Sequence, residues 1–410
     1  MTNVSPPRSG ARRLLILVTE DWAFCSHRIG VARAARDAGW DVHVACRVRN
    51  HGDQIRAEGL TLHPIGINRS SLNPLREFAT IRELRRLYRR VRPDVLHHAA
   101  LKPVLYGTLA ARLAGVNKIV NAMIGMGSVF SSSKLAMRLA RPGVVSAFRM
   151  LLNAPGSMLV VQNQDDADLF LSRGLVAPER LRLIPGSGVD TEAFSVCPEP
   201  SRDGPIVATV VARMLWDKGI GEMVEAARLL RARNVPVKVC LVGDRDGDNP
   251  NAIPMTTLQQ WRAEGIVDWQ GRRDDIATVW AESHIAVLPS YREGMPRSLL
   301  EAAACGRPLV TTDVPGCRAL VDDGINGIKV APRDPEALAD AVARLAADPT
   351  LRHNLGARAR RSVETTFGDH AVLGAFLSLY DEVMNWPSTT ALTNAVGEPS
   401  EDRGAARHGL

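Results

Sequence analysis

The sequence predicts an α/β protein of two doubly wound domains, and three observations carry that prediction. Short apolar runs alternate with segments of helical periodicity along most of the chain, the signature of parallel sheets flanked by helices. The runs are apolar on consecutive residues, as strands buried on both faces require. The alternation stops once, at the Gly-rich passage Ile184-Pro-Gly-Ser-Gly-Val-Asp190 and the stretch 197–205 behind it, and then begins again. At 410 residues the chain has room for two domains with separate cores.

Taken in order, 1–11 reads as a flexible N-terminus and 12–185 as the first domain. Its strands are expected at Leu14–Val18, Asp41–Cys46, Thr61–Pro64, Val95–His97 and Met158–Gln162. Helices are expected from Ile29 to Ala38, where Gly39 ends the pattern, near Gln54–Glu58, over Leu75–Val91, Val104–Leu113 and Ser133–Leu152, and over Asp165–Leu171. A linker at 186–204 leads to a second domain at 205–365. There the strands Ile206–Val211, Val237–Val242, Val267–Trp269, His284–Leu288 and Leu309–Thr312 alternate with helices. A last helix falls within 366–387, and the polar segment 388–410 reads as a disordered tail.

The net charge of +7 is unevenly shared. Up to residue 195 there are 27 Lys+Arg against 15 Asp+Glu, and after it 24 against 29, so the halves carry +12 and −5. Only the first half is basic. Its expected partner is therefore acidic: an anionic membrane surface, a phosphate-bearing acceptor, or nucleic acid. Aromatic residues are only 5% and show no stacking motif, which argues against nucleic acid. Six scattered cysteines lack metal-ligand spacing, and no apolar run is long enough to span a bilayer, so a cytoplasmic location is expected.

Two helices combine arginine with apolar residues. Over 76–92, Phe78, Ile81, Tyr88 and Val91 are expected inside, with Arg82, Arg85, Arg86, Arg89 and Arg90 outside; over 133–152, Lys134, Arg138, Arg141 and Arg149 interleave with apolar positions. Each is either an ordinary solvated face or a surface for lipid headgroups.

The chemistry concentrates in Ser290-Tyr-Arg-Glu-Gly-Met-Pro-Arg-Ser-Leu-Leu-Glu-Ala-Ala-Ala-Cys-Gly306. A strand ends just before it, and Pro296 is suited to the first turn of a helix that Gly306 stops. Glu293 then lies before the helix and Glu301 inside it, flanking an N-terminus that favours an anion. Upstream, Ala212-Arg-Met-Leu-Trp-Asp-Lys-Gly219 places Arg213 and Lys218 between a strand and a helix, at the sheet edge where open α/β folds bind ligands. Two such cations suit a diphosphate.

Together these residues resemble the second domain of retaining glycosyltransferases of family four. Val242-Gly243, Gly271-Arg272 with Asp274-Asp275-Ile276, Leu288-Pro289-Ser290 and Asp322-Asp-Gly324 extend the likeness. The resemblance implies the glycosyltransferase B fold: two Rossmann-like domains facing a cleft, with a C-terminal helix crossing back to the first. It implies a nucleotide-sugar donor, a UDP-sugar, and no metal or other cofactor. Arg213 and Lys218 would hold its diphosphate and stabilise the leaving group, and Glu301 would take the ribose hydroxyls. Glu293 would contact the transferred sugar, with Gly294, Met295 and Pro296 beside it, while Gly243 and Arg272 complete the donor site. The first half resembles a narrower group, transferases that extend a sugar on an undecaprenyl diphosphate carrier. That likeness rests on His27-Arg28, Arg69-Ser-Ser-Leu-Asn-Pro74, His97-His98 with Lys102-Pro103, and Asn121-Ala-Met-Ile-Gly-Met-Gly127.

By that resemblance Arg28, Arg69 and Lys102 would meet the diphosphate of a lipid-linked saccharide acceptor, placing the enzyme peripherally at the inner face of the plasma membrane. Where several relatives carry a histidine in the loop after the fourth strand, this chain has Leu101. The catalytic role is then expected to pass to His98, against the plainer reading that His97 and His98 only cap the strand. The run Asp244-Arg-Asp-Gly-Asp248 is spelled like a metal loop but lacks the Gly and Glu an EF-hand needs, so no metal is expected there. Two rival functions are a nucleotide-sugar 2-epimerase on the same fold and a basic nucleic-acid-binding protein.

Overall fold

A computed structural model describes residues 10–68, 73–123, 135–186, 188–201, 203–247 and 249–386, and only the backbone of 135–141 and 144. Each domain is built on one sheet of parallel strands. The first sheet contains β1 (Arg13–Glu20), β2 (Asp41–Arg47), β3 (Thr61–Pro64), β4 (Val95–Ala99), β5 (Ile119–Ala122), β6 (Ser157–Val161) and β7 (Leu181–Leu183), in the order β3-β2-β1-β4-β5-β6-β7. The second contains β8 (Ile206–Val211), β9 (Val237–Val242), β10 (Asp268–Gly271), β11 (Ile285–Leu288), β12 (Leu309–Thr312) and β13 (Gly327–Val330), in the order β10-β9-β8-β11-β12-β13. The order reverses between β1 and β4 and again between β8 and β11, and at such switch points the carboxyl ends of the strands open a crevice.

Period-two alternation divides β1 between two cores. Leu14, Ile16 and Val18 face one side, with the helix Ile29–Asp37, and Leu15 and Leu17 face the other, with the helix Pro74–Val91. The last helix, Asp369–Asn385, lays Val372, Phe376, Leu379, Tyr380 and Val383 into the first of these cores. Chain from beyond the second domain thus completes the first domain.

Several elements were not legible in the sequence. The strands β5, β7 and β13 have only four, three and four residues, and β5 carries the buried polar Asn121. The helix Asp21–His27 starts without a side-chain cap. Pro296 is the N-cap of the helix Arg297–Ala304 rather than a residue of its first turn. In the helix Pro74–Val91, Phe78 is 60% exposed, whereas Thr80, Leu84, Leu87, Tyr88 and Val91 are buried and Ile81 packs partly against the same core. Of the second basic helix, the side chains of Lys134, Arg138 and Arg141 lie outside the described residues; Arg149 donates to the carbonyls of Gly174 and Arg173, a structural role.

Burial keeps several first-domain histidines neutral. It lowers His27 to about 3 and His63 and His98 to about 4, and it lowers His97 as well, with neighbouring cations adding to the effect at His27, His63 and His97. An unfolded histidine titrates near 6.5, so below that pH the unfolded chain binds protons that the folded chain refuses. The stabilisation is complete above pH 6.5 and is lost as pH falls toward 4. Urea unfolding is expected to show a clearly lower midpoint at pH 5 than at pH 7, and equal midpoints would contradict this account.

Candidate active site in the interdomain cleft

The carboxyl ends of β8 and β11 aim their following loops into a cavity of ≈ 880 Å³ between the domains. Arg213 comes two residues after β8, and Lys218 closes a short 3₁₀ turn, Trp216–Lys218. Gly219 then adopts φ +69°, and a Cβ there would sit 2.0 Å from the Pro289 carbonyl oxygen. Only glycine lets the Lys218 turn lie this close to the loop after β11.

That loop carries Glu293. Its Oε1 accepts from Lys218 Nζ at 2.5 Å and from Ser290 Oγ at 2.7 Å, so the carboxylate is held by a cation and a hydroxyl together. The Glu293 amide donates to the Pro315 carbonyl at 3.2 Å, and Gly316 approaches so closely that a Cβ would lie 2.6 Å from the carbonyl oxygens of Glu293 and Gly294. Arg297 and Ser298, in the first turn of the following helix, line the cavity, and the first N–H groups of a helix have no partner within it. Glu301, 8% exposed, accepts from Arg297 Nε at 2.7 Å. Burial pushes its carboxyl above the usual range, and Arg297 draws it part of the way back.

Arg213 pairs with Asp246 and lies 5.8 Å from the Trp22 ring of the first domain, a cation–π contact across the cleft. At the far end, the Gly243 carbonyl accepts from Trp269 Nε1 at 3.0 Å, and the Arg272 amide donates to Asp244 at 3.2 Å. The Arg272 guanidinium is turned toward Asp274 at 2.9 Å. Among the lining residues the cations Arg213, Lys218, Arg272, Arg273, Arg292 and Arg297 outnumber the acids Asp217, Glu293 and Glu301, while Arg213, Arg272, Arg273 and Arg292 are also paired with Asp246, Asp274, Asp275 and Asp166 behind the lining. An anionic ligand fits that lining.

The opposite wall belongs to the first domain: Trp22, Cys25, Ser26 and His27 after β1, and His51 and Gln54 after β2. Asp21, 1% exposed, shapes it by accepting from the amides of Trp22, Arg49, Asn50 and His51. Burial works to raise this carboxyl, and the four amides hold it below the usual value. Sequence reasoning expected none of these wall residues at the site, His27 among them. Burial first, then the charges of Arg28, Arg297, Arg213 and Lys218, keep its ring neutral, able to accept or donate one hydrogen bond at physiological pH. Its only signal was membership of the His27-Arg28 pair.

All nine expected donor residues, Arg213, Lys218, Gly243, Arg272, Glu293, Gly294, Met295, Pro296 and Glu301, line this one cavity. The described first-domain residues expected at the site, His98, Arg28 and Lys102, do not. His98 is fully buried away from the cleft: the Asn121 side-chain oxygen Oδ1 at 3.0 Å requires Nδ1 to donate, leaving Nε2 to accept from the Tyr88 hydroxyl at 3.1 Å. It packs against the sheet and does not line the cavity. Arg28 is 1% exposed, donates to the His27 carbonyl and stacks 5.6 Å from the Phe376 ring, so the C-terminal helix covers it. Lys102 is engaged by Glu77 at 3.0 Å and by the Asn68 carbonyl at 2.8 Å, tying a loop to a helix. Arg69 lies outside the described residues, as does Asp248. Among the described residues no three His, Cys, Asp or Glu side chains cluster as a metal site, and Asp246 is taken by Arg213.

The domains also touch directly at the Glu293 loop. Asn163 caps the helix Gln164–Ser172 through its Oδ1, and its Nδ2 donates to the Gly294 carbonyl of the other domain at 2.8 Å. Asp166, 2% exposed, pairs with Arg292 at 3.2 Å, and Asp165 pairs with Arg318 at 3.0 Å.

Comparison with known proteins matches both halves. A family model described as glycosyl transferase 4-like matches residues 13–160, and one described as glycosyl transferases group 1 matches residues 205–348. The chain is 26% identical over 368 residues to the N,N'-diacetylbacillosaminyl-diphospho-undecaprenol alpha-1,3-N-acetylgalactosaminyltransferase of Campylobacter jejuni, covering 87% of this chain and 95% of that one. It is 24% identical over 290 residues to the UDP-Gal:alpha-D-GlcNAc-diphosphoundecaprenol alpha-1,3-galactosyltransferase of Escherichia coli, covering 68% and 73%. Among solved structures, sucrose-phosphate synthase of Thermosynechococcus elongatus superposes with a TM-score of 0.75 at 19% identity, covering 91% of this chain and 99% of the other. Anabaena HepE in complex with UDP and glucose does so with a TM-score of 0.73 at 17% identity, covering 90% and 100%. Two glycosyltransferase matches, one on each side of a cleft between paired parallel sheets, make this chain a glycosyltransferase of the two-domain B fold.

Proposed function

We propose that the enzyme moves a hexose or N-acetylhexosamine from a UDP-sugar to a saccharide carried on a polyprenyl diphosphate, with retention at the anomeric carbon, in the assembly of a bacterial surface glycan. The observation that carries the donor half is the meeting of Lys218, Glu293, Arg213 and Glu301 in one cavity. Lys218 and Arg213 face the negative charge that grows on a departing diphosphate, and fixed cations in a partly dry cleft stabilise such charge strongly. Glu293, already bonded to Lys218, is placed to accept from hydroxyls of the transferred sugar. Glu301 accepts from the ribose. The acceptor half is supported by the relatives from Campylobacter and Escherichia, whose names specify undecaprenol-linked acceptors.

Among the described residues no helix is long and apolar enough to cross a membrane. The proposed lipid-linked acceptor calls for attachment at the inner membrane face, which we propose is peripheral. Mass spectrometry of products from a UDP-sugar panel and a synthetic polyprenyl-diphosphate saccharide tests the proposal. A lipid heavier by one sugar supports it; a 2-epimer of the donor formed without acceptor would replace it with an epimerase.

Two outcomes follow. Glu301→Gln is expected to weaken UDP binding about tenfold with a smaller effect on turnover, since it removes the charge from one strong hydrogen bond to the nucleoside. Calorimetry with UDP checks this, and unchanged affinity would remove Glu301 from the donor site. We further propose that the reaction needs no metal, because arginine and lysine stand where a divalent ion would neutralise the diphosphate. Turnover in excess EDTA is expected to match turnover in added magnesium, and a loss restored by the metal would reverse the assignment.

A further inference from the structure

The helix Pro74–Val91 carries a face that neither the core nor the cleft uses. Thr80, Leu84, Leu87, Tyr88 and Val91 are buried on its inner side. At about 100° per residue, Leu75, Phe78, Arg82, Arg86 and Arg89 fall together on the opposite side. All five are exposed, Leu75 by 81% and Phe78 by 60%. Two apolar side chains thus occupy the first turn and arginines the turns behind.

Neither acid of the helix pairs with these arginines. Glu77 is bound to Lys102 at 3.0 Å and Glu83 accepts from the Gly66 amide at 3.0 Å. Among the described residues no carboxylate pairs with Arg82, Arg86 or Arg89, and Arg89 makes only a 3.5 Å contact with the Leu113 carbonyl. A single exposed leucine is ordinary. An exposed apolar pair at i, i+3, continued by unpaired arginines along one stripe, matches a helix that lies in a lipid interface.

Its place in the fold gives that face a purpose. The helix connects β3 to β4, parallel members of one sheet, so it begins at the carboxyl ends of the strands. The loops after β1 and β2 that line the cavity lie at the same end. Leu75 and Phe78 therefore stand at the cleft end of the first domain.

We propose that this face docks the first domain on an anionic bilayer, with Leu75 and Phe78 in the headgroup–acyl boundary and Arg82, Arg86 and Arg89 on the lipid phosphates. Docking brings the mouth of the cleft to the surface from which a lipid-linked acceptor is presented; this purpose rests on the acceptor proposed above, whereas the docking itself is testable without any acceptor. The test is flotation of the full chain with vesicles of phosphatidylcholine alone and of phosphatidylcholine with an equal share of phosphatidylglycerol, neither containing acceptor.

The wild type is expected to float with the anionic vesicles only. Arg82→Gln with Arg86→Gln is expected to weaken binding about fivefold per arginine, and Leu75→Asn with Phe78→Gln about tenfold or more. Unchanged thermal unfolding in each variant shows the fold intact. Variants that float like the wild type would overturn the proposal, as would a wild type that ignores anionic vesicles. So would a wild type that instead shifts short DNA through the same arginines. Because the vesicles carry no acceptor, an error about the acceptor leaves these results unchanged and shows itself only in the product assay.

Discussion

Lys218→Met is expected to lower kcat about a hundredfold to a thousandfold, the range for removing a fixed charge that faces a developing anion. Methionine keeps most of the aliphatic length, so the turn before Gly219 and its contact with Pro289 survive, and only the ammonium is lost. Two consequences follow, since Lys218 Nζ also holds Glu293 Oε1 at 2.5 Å. The leaving diphosphate loses a cation, and Glu293 keeps only Ser290 as a partner. Glu293→Gln is expected to lower kcat as well, and because the two side chains act as a unit, the double variant is expected to lose far less than the product of the single losses. Single-turnover measurements on the four proteins complete the cycle. Independent, multiplicative losses would mean that the 2.5 Å pair is not part of the working site, and an unaffected Lys218→Met enzyme would take the leaving-group role away from it.

The second domain's site was legible in the sequence because it is local. Arg213 and Lys218 share one strand-to-helix connection, Glu293 and Glu301 share another, and both connections leave adjacent strands, β8 and β11, at the switch point. Once the strands are recognised by their apolar runs, topology alone brings these four residues together. The first domain's contribution was not legible, for the opposite reason. Its wall depends on a helix, Asp21–His27, with no cap to announce it, and on a loop held by the buried carboxylate of Asp21. His97 and His98 drew notice through the resemblance, against the plainer reading that they cap the end of a strand. Adjacent residues of a strand face opposite sides, and here each side is packed: His97 bonds to the Tyr380 hydroxyl at 2.6 Å on the C-terminal helix, and His98 to Tyr88 and Asn121. No pattern within β4 foretells Tyr380, which is 283 residues away from His97. Phe78 misled in the reverse direction, since a large aromatic in a helical pattern reads as core until the neighbouring elements are placed.

The cross-domain contacts at Asn163 and Asp166 lead to the second large effect. The Glu293–Gly294 loop is fixed within its own domain by the Pro315 carbonyl and the close approach of Gly316, but the Gly294 carbonyl is also held by Asn163 Nδ2 at 2.8 Å, and the preceding Arg292 by Asp166 at 3.2 Å. Glu293 is therefore set in place by both domains, and its geometry depends on how they close. Asn163→Ala is expected to lower kcat about tenfold to a hundredfold, the cost of a displacement of about 1 Å at a reacting centre. Loss of the helix cap should cost only about 1 kcal/mol of stability. Asp166→Asn, which keeps the shape and removes the charge facing Arg292, is expected to act in the same direction. UDP affinity should change little in either variant, because Arg213, Lys218 and Glu301 all belong to the second domain. That separation is the diagnostic. A fall in kcat with nearly constant UDP affinity shows the first domain positioning a residue of the second, whereas equal losses in both would mean general damage to the donor domain, and wild-type turnover would mean that Pro315 and Gly316 hold the loop unaided.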